Sequence, residues 1–250
     1  STTNTTGATT YTWTNDNPSI GLGSTGNGNI ISFPVVNTTT IPQVATIVVT
    51  PTYTSGGVSC VGLPKTFRIT VNPSANVVQP ISSVVCANSL VSSIFTTTNT
   101  IGSTTYTWTN DTTSIGLAAS GNSSITPSFT ALNSGATPVV ATITVTPDFT
   151  GGSASCPGIA QSFTITVNPV PSVNDLLDQT VCNGSSFEAL LFTGTGTSYS
   201  WTNSLPSIGL SASGTDNISA FTGTNATVSP QSGTLTVTPQ YTNAGFTCSG

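Results

Sequence analysis

Five residues near the middle of the chain, Tyr106-Thr107-Trp108-Thr109-Asn110, carry the pattern on which the fold assignment depends. In a β-strand, positions two apart share one face, so the two aromatic side chains lie together and the threonines lie on the opposite face. Large aromatic side chains on a single face are typical of a central strand packed on a core. The pattern recurs at residues 11–15 and 199–203. The predicted core aromatic residues are Tyr11, Trp13, Tyr106, Trp108, Tyr199 and Trp201.

Other landmarks follow each tryptophan in the same order, and the tryptophans are separated by 95 and 93 residues. Ser-Ile-Gly-Leu begins at residues 19, 114 and 207, Val-Thr-Pro begins at residues 49, 145 and 237, and the cysteines are Cys60, Cys156 and Cys248. A repeat of this length matches a small, independently folding domain. We predict three modules: residues 1–73, incomplete at the N-terminus; residues 74–169, complete; and residues 170–250, incomplete at the C-terminus. The chain is therefore expected to be one window on a longer array.

Module 2 shows period-two alternation of apolar and polar residues between turn residues. The pattern predicts seven strands, at residues 77–85, 90–98, 104–110, 115–119, 125–132, 139–149 and 162–167. Seven short strands in a domain of this size are typical of a two-sheet sandwich. The joints at residues 71–74 and 167–172 are short and contain proline, which favours an extended, semi-rigid linker. The predicted fold is all-β, with tandem immunoglobulin-like β-sandwich domains in an elongated rod.

The composition excludes several classes of function. Charged residues make up 4% of the chain, the net charge is −5, and Lys65 and Arg68 are its only basic residues, so no basic surface can follow a nucleic acid. The sequence has no histidine, the residue that most often acts as a general base, and no pair of carboxylates recurs from module to module. No apolar run has the length of a membrane span. We expect no enzymatic activity, no cofactor and no metal site.

The five cysteines recur in a fixed phase and predict disulfides, which form in oxidising compartments. Pairing within modules joins Cys86 to Cys156 and Cys182 to Cys248, and leaves Cys60 to a partner upstream of residue 1. This scheme is favoured because the first and last strands of a sandwich often lie side by side, and because an internal disulfide stabilises a small domain. The alternative joins Cys60 to Cys86 and Cys156 to Cys182, across the joints.

Oxygen-rich side chains cluster just after the second joint, at Asn174, Asp175 and Asp178. Such residues can hold Ca²⁺, but a solvated turn explains them equally simply. The equivalent places in module 2 carry no acidic residue, so the cluster is not a feature of the repeat. The solvated turn is the preferred interpretation.

These motifs, together with Phe-Thr-Ile-Thr-Val-Asn-Pro at residues 163–169, resemble the PKD-like, immunoglobulin-type repeats of very large Bacteroidota surface proteins. The resemblance extends over all 250 residues, although Asn15, Asn110 and Asn203 stand where ordinary PKD repeats have an Asp-Gly type of turn. Members of this kind include gliding-motility adhesins, which are exported by the type IX secretion system and form filaments on the outer membrane. The resemblance also implies O-glycosylation at Thr112, for which an unmodified turn is the alternative.

The leading functional hypothesis is a disulfide-stabilised stalk in a secreted surface adhesin or extracellular fibre, with a role in adhesion or gliding motility. Its expected partners are neighbouring modules of the same chain, identical fibres, and a surface polysaccharide or abiotic surface. The alternative is an array of carbohydrate-binding modules on a secreted polysaccharide-degrading enzyme. Sugar-binding faces usually need exposed aromatic side chains, and the three tryptophans occupy positions expected in a core.

Overall fold

The computed structural model describes residues 6–250, in which β-strands form three successive sets. The first set is a five-stranded antiparallel sheet in the order β2-β1-β3-β4, with β5 paired to β3. Its strands are β1 (Ala8–Asn15), β2 (Thr25–Asn27), β3 (Gln43–Ser55), β4 (Val58–Val61) and β5 (Lys65–Val71). The sheet lies within the predicted module 1.

Module 2 has two sheets. The larger sheet has the order β6-β13-β11-β8-β9, with β12 paired to β11, and the smaller sheet pairs β7 with β10. All pairs are antiparallel except β6 and β13, which run parallel. The strands are β6 (Ser83–Cys86), β7 (Leu90–Val91), β8 (Ser103–Asn110), β9 (Ser120–Gly121), β10 (Phe129–Thr130), β11 (Val139–Gly151), β12 (Ala154–Pro157) and β13 (Gln161–Asn168).

Module 3 repeats this plan with fewer strands. Its larger sheet has the order β16-β15-β18-β19, and its smaller sheet pairs β14 with β17. The strands are β14 (Ser186–Phe187), β15 (Ser198–Asn203), β16 (Ser213–Thr215), β17 (Phe221–Thr222), β18 (Leu235–Asn243) and β19 (Phe246–Ser249). The chain is thus an all-β array of sandwich-type domains. Within residues 6–250, no helix is long and apolar enough to cross a membrane.

The core of module 2 lies between its two sheets. Along β11, Ala141, Ile143 and Val145 are fully buried, while the intervening threonines are only partly covered. Trp108 lies directly opposite Val145 on β8, and both belong to one apolar cluster with Val91 and Phe129 of the smaller sheet. The alternation in the sequence therefore corresponds to one face on the core and one face in water.

A glycine lies directly opposite each tryptophan on the neighbouring strand, and its distance from the tryptophan along the chain is the same in every module. The pairs are Trp13 with Gly26, Trp108 with Gly121 and Trp201 with Gly214. A Cβ atom added at any of these glycines would overlap the six-membered ring of the indole. Each tryptophan ring therefore packs against the backbone of the opposite glycine and occupies the space that a side chain would need.

The asparagine that ends each Tyr-x-Trp-x-Asn motif is buried and holds the next turn in place. In module 2, the Asn110 side-chain amide donates to the carbonyl oxygen of Leu117 at 2.9 Å, and its Oδ1 accepts the backbone N–H of Thr112 at 3.0 Å. Asn15 and Asn203 make the equivalent bonds. A short 3₁₀ turn follows in each module, at Pro18–Ile20, Thr113–Ile115 and Pro206–Ile208.

The predicted strand assignment for module 2 is wrong in several places. The strands predicted at residues 77–85, 90–98 and 125–132 are observed only as Ser83–Cys86, Leu90–Val91 and Phe129–Thr130. Residues 115–119 do not form a strand, because the 3₁₀ turn Thr113–Ile115 is followed by Gly116 in the left-handed region at φ 95°. The sequence pattern also predicts no strand at β12, a short strand that returns along β11 after a turn at residues 152–153. Its residues Ala154–Pro157 are mostly exposed, so they carry no alternating apolar pattern.

Asp111 links β8 to β11, and this contact predicts a dependence of stability on pH. Its Oδ1 accepts the backbone N–H of Thr142 at 2.7 Å and the hydroxyl of Thr112 at 2.8 Å, and these bonds lower the pKa of the carboxyl below its ordinary value. The stabilisation is present above about pH 4 and is lost as the pH falls through the lowered pKa of the folded state. In urea unfolding of module 2, Asp111→Asn should weaken the loss of stability as the pH falls below about 4.

Asp175→Asn is the control for this prediction, because it removes the same charge from an exposed carboxylate in module 3. It should leave the acid dependence of module 2 unchanged. Module 3 offers a natural comparison, since the hydroxyl of Ser204 accepts the backbone N–H of Thr234 in the place of the Asp111 contact. Equal acid dependence of the wild type and Asp111→Asn would contradict the assigned role of Asp111.

Candidate functional site

The joint between modules 2 and 3 is the most constrained contact between modules. Strands β6 and β13 run parallel and end together there, with Cys86 level with Asn168. The hairpin of β18 and β19 meets them from module 3, with Cys248 opposite Tyr241. The C-terminal end of one module therefore faces the N-terminal end of the next.

A disulfide closes this joint. Cys86 and Cys248 are bonded, with a Sγ–Sγ distance of 2.09 Å, a Cα–Cα distance of 5.6 Å and a sequence separation of 162 residues. Cys248 is 1% exposed, so the bond lies inside the contact and not on its rim. The bridge ties two modules to each other and not one module to itself.

Asparagine side chains add a second constraint. The Asn243 amide donates to Oδ1 of Asn168 at 2.9 Å, and Asn168 is fully buried at the joint. At the preceding joint the equivalent linker residue, Asn72, is the donor, and its side-chain amide donates to the carbonyl oxygen of Gly151 at 2.8 Å. A backbone bond from Thr100 N–H to the Thr40 carbonyl oxygen, at 3.1 Å, also connects modules 1 and 2. Both joints therefore hold their modules end to end.

The predicted pairing of Cys86 with Cys156 is wrong. Cys86 is level with Asn168, and the preceding residue Val167 pairs with Val139 at the start of β11. Cys156 pairs with Phe149, ten residues further along the same strand. Ten residues of a β-strand span about 33 Å, so the two sulfurs lie at opposite ends of module 2. A disulfide requires a Cα–Cα distance below about 7 Å.

The other pairs predicted within residues 1–250 are also wrong, while the partner predicted for Cys60 upstream of residue 1 stays a prediction. Cys248 is bonded to Cys86, so the pairing of Cys182 with Cys248 and the alternative pairing of Cys60 with Cys86 are both wrong. Cys60, Cys156 and Cys182 carry no disulfide in the structure, which also excludes the alternative pairing of Cys156 with Cys182. The prediction failed because the late cysteine of each module lies on the hairpin strand before the last strand, at the far end of the sheet.

The other predicted residues have simpler surroundings. Trp13, Trp108, Trp201 and Tyr106 are buried in the cores, while Tyr11 and Tyr199 are partly buried. The Thr112 hydroxyl donates to Asp111, and glycosylation at Thr112 stays a prediction. Asp175 and Asp178 are exposed, and the neighbouring Asn174 amide donates to Thr193. Among residues 6–250, no three His, Cys, Asp or Glu side chains lie close enough to hold a metal ion.

Two open grooves have linings without a titratable group. One, of about 510 Å³, lies between modules 1 and 2 and is bordered by Asn72, Ile101 and residues 150–154 at the tip of the β11–β12 hairpin. The other, of about 320 Å³, lies over Trp201 and Gly214. Their linings offer hydroxyl, amide and apolar groups, which can bind water or a polar surface but supply no acid or base.

The sequence-based predictions did not include the glycines opposite the tryptophans, the burial of the asparagines or the bridge between modules. The glycines and the asparagines had a usable signal in the sequence, because each of them follows its tryptophan at the same separation in all three modules. An invariant spacing within one chain indicates a fixed contact. The bridge had no such signal, since the phase of the cysteines is the same for every pairing scheme.

The fold and the joints define the class of this protein: tandem all-β domains of the β-sandwich type, with a disulfide between consecutive domains. More particularly, residues 1–75 match the PKD-like domain family. The crystal structure of the chicken CNTN1 FN1–FN3 domains is similar at 9% sequence identity and a TM-score of 0.30, covering 97% of this chain and 86% of that chain. A comparison with curated proteins gives no match.

Proposed function

We propose that this chain is a structural segment of a secreted cell-surface adhesin or extracellular fibre, in which it acts as a disulfide-stabilised stalk. The observation that carries the proposal is the joint between modules 2 and 3, where a disulfide and a hydrogen-bonded asparagine pair hold two domains end to end. A peptide linker alone leaves two domains free to change their relative orientation. A disulfide beside the linker removes most of that freedom, so the joint between modules 2 and 3 resists bending.

The disulfide and the composition of the grooves support a non-catalytic role outside the cell. The disulfide requires an oxidising compartment, and the PKD-like match of residues 1–75 is consistent with a surface protein. The grooves offer no acid, base or thiol with which to build a reaction centre. Adhesion or gliding motility on a surface, after export by the type IX secretion system, is the setting that the resemblance favours.

The stalk proposal predicts an extended particle in solution. Strand β11 alone has 13 residues and spans about 43 Å, so three modules end to end should reach about 120 Å. A compact globular protein with the same number of residues would have a diameter of about 50 Å. Small-angle X-ray scattering of the oxidised chain measures this maximum dimension. A value near that of the globule would contradict the proposal.

A glycan array with the same sample separates the stalk from the carbohydrate-binding alternative. The stalk proposal predicts no saturable binding to a defined glycan. Saturable binding that disappears in Phe246→Ala or Phe67→Ala would favour the alternative, because these phenylalanines have exposed fractions of 42% and 46% and are accessible for stacking. The matched control is Phe163→Leu, at a phenylalanine that is 2% exposed and unavailable to a ligand.

A further inference from the structure

The bonded cysteines belong to two classes that recur along the chain. The early class follows a valine near the start of a module and consists of Cys86 and Cys182. The late class lies on the hairpin strand before the last strand and consists of Cys60, Cys156 and Cys248. The observed bond joins an early cysteine to the late cysteine of the next module. The three remaining cysteines belong to the same two classes. By the rule of the observed bond, the partner of each one would lie in an adjacent module.

Cys156 holds the same place on its hairpin as Cys248 does on the next, because each lies opposite an aromatic residue of the long strand, Phe149 or Tyr241. Each joint has a hydrogen bond between its linker asparagine and the hairpin: the Asn72 amide donates to the Gly151 carbonyl oxygen at the first joint, and the Asn243 amide donates to Asn168 Oδ1 at the second. Gly151 precedes Cys156 by five residues, and Asn243 precedes Cys248 by five residues. Because the hydrogen bonds and the spacing coincide, the two late cysteines face equivalent positions on the preceding module.

The preceding module has an open edge at that position. In module 2, β13 lies between β11 and β6, and β6 ends in the bonded Cys86. In module 1, within residues 6–73, β5 pairs with β3 alone. Phe67 of β5 is 46% exposed, whereas its equivalent Phe163 of β13 is 2% exposed. A strand placed on β5 as β6 is placed on β13 would cover Phe67 and end beside Cys156.

We propose that Cys60, Cys156 and Cys182 are half-cystines of the same one-module-step bridge, each bonded to a neighbouring module of the same polypeptide. Cys182 takes a late cysteine of the module that follows, and Cys156 and Cys60 take early cysteines of preceding modules. Each bond forms when two thiols lose two protons and two electrons to a thiol–disulfide oxidant, which is reduced to its dithiol. The inference rests on the proposed array but not on its adhesive role.

Such bridges would give the array a continuous covalent path for tension. Residues 60–86 and 156–182 each run from a late cysteine to the next early one, and the two segments are equal in length. Each segment runs along the last strand of one module, crosses the joint, and then runs in the same direction along the first strand of the next module. Within module 2 the two segments lie side by side as the parallel pair β6 and β13. With every bridge formed, each segment continues through a disulfide into another, and the rest of each module lies outside the path.

The test is an in-frame duplication of residues 74–169 in the full chain, which inserts a second complete module between modules 2 and 3. Cys156→Ser in the first copy and Cys86→Ser in the second copy leave one early and one late cysteine in different copies. After oxidation and acidic digestion with pepsin, mass spectrometry should find the Cys86 peptide bonded to the Cys156 peptide. A Cys86 that is free, or bonded to Cys248, would overturn the proposal.

The matched control carries Cys86→Ser in the first copy together with the same Cys156→Ser. Its second copy keeps both cysteines, and the proposal predicts bonding of Cys86 to Cys248 with Cys156 left as a thiol. A bond between Cys86 and Cys156 in this control would show pairing within a module and overturn the proposal.

A second measurement does not depend on the duplicated chain folding. In the polypeptide from its natural source, Cys182 should be bonded to a peptide outside residues 1–250, and a free thiol there would contradict the inference. Neither experiment measures shape or adhesion. An extended particle with Cys182 unbonded would therefore reject the bridges and leave the stalk proposal intact.

Discussion

Reduction of the Cys86–Cys248 disulfide should lengthen the fully unfolded chain by about 550 Å when it is pulled from its two ends. The bond makes a closed loop with a sequence separation of 162 residues, and residues inside the loop carry no tension while the bond is intact. An oxidised chain under force can extend only through residues before Cys86 and after Cys248. Single-molecule force spectroscopy measures this difference as the contour length gained with and without a reductant.

Cys86→Ser should give the long contour without a reductant, because the loop cannot close. Cys182→Ser is the matched control, since Cys182 belongs to the same repeat class but carries no bond in the structure. It should keep the short contour under oxidising conditions. If oxidised wild type and Cys86→Ser unfold to the same length, the two modules are not bridged in solution.

This mechanical property could not be predicted from the sequence, although the modules could. The repeated Tyr-x-Trp-x-Asn motif and the Thr-rich alternation of residues 141–146 report local features: which positions are in strands and which faces are apolar. Those features are decided within a few residues. The β-sandwich class, the buried tryptophans and most of the β8, β11 and β13 positions were accessible for this reason.

Cysteine pairing depends instead on which end of the sheet each cysteine occupies. The sequence indicates that Cys156 precedes the last strand, but its height along the module depends on the turn at residues 152–153 and on the register of β12 against β11. The exposed β12 residues carry no apolar pattern from which that register could be inferred. The parallel pairing of β6 with β13 then places Cys86 at the opposite end. Non-local register therefore decided the connectivity.

The glycine opposite each tryptophan was detectable in the sequence, but the sequence did not show which group it contacts. A glycine inside a strand either destabilises the strand or marks the close approach of another group, and the constant separation from tryptophan favours the close approach. Only the structure shows that the group is the indole ring itself. The contact has a measurable consequence for stability.

Gly121→Ala should destabilise module 2 by about 3 kcal/mol, because the new methyl group would overlap Cζ2 and Cε2 of Trp108. Trp108 is 2% exposed and packed in the main apolar cluster, so the ring cannot move aside without opening the core. Chemical unfolding followed by the fluorescence of Trp108, with Trp13 and Trp201 replaced by Phe in both proteins, measures the change for this module alone.

Gly135→Ala in the same module separates this packing effect from the general effect of replacing glycine. Its added Cβ would lie 3.4 Å from Oδ1 of Asn133, an ordinary contact, at an exposed position. It should therefore change the free energy of unfolding by less than about 1 kcal/mol, with a small gain expected from the stiffer unfolded chain. Since both variants add one methyl group to one glycine, a large loss confined to Gly121→Ala would assign the cost to the indole. Equal losses in the two variants would mean that the Trp108 contact does not control the stability of the module.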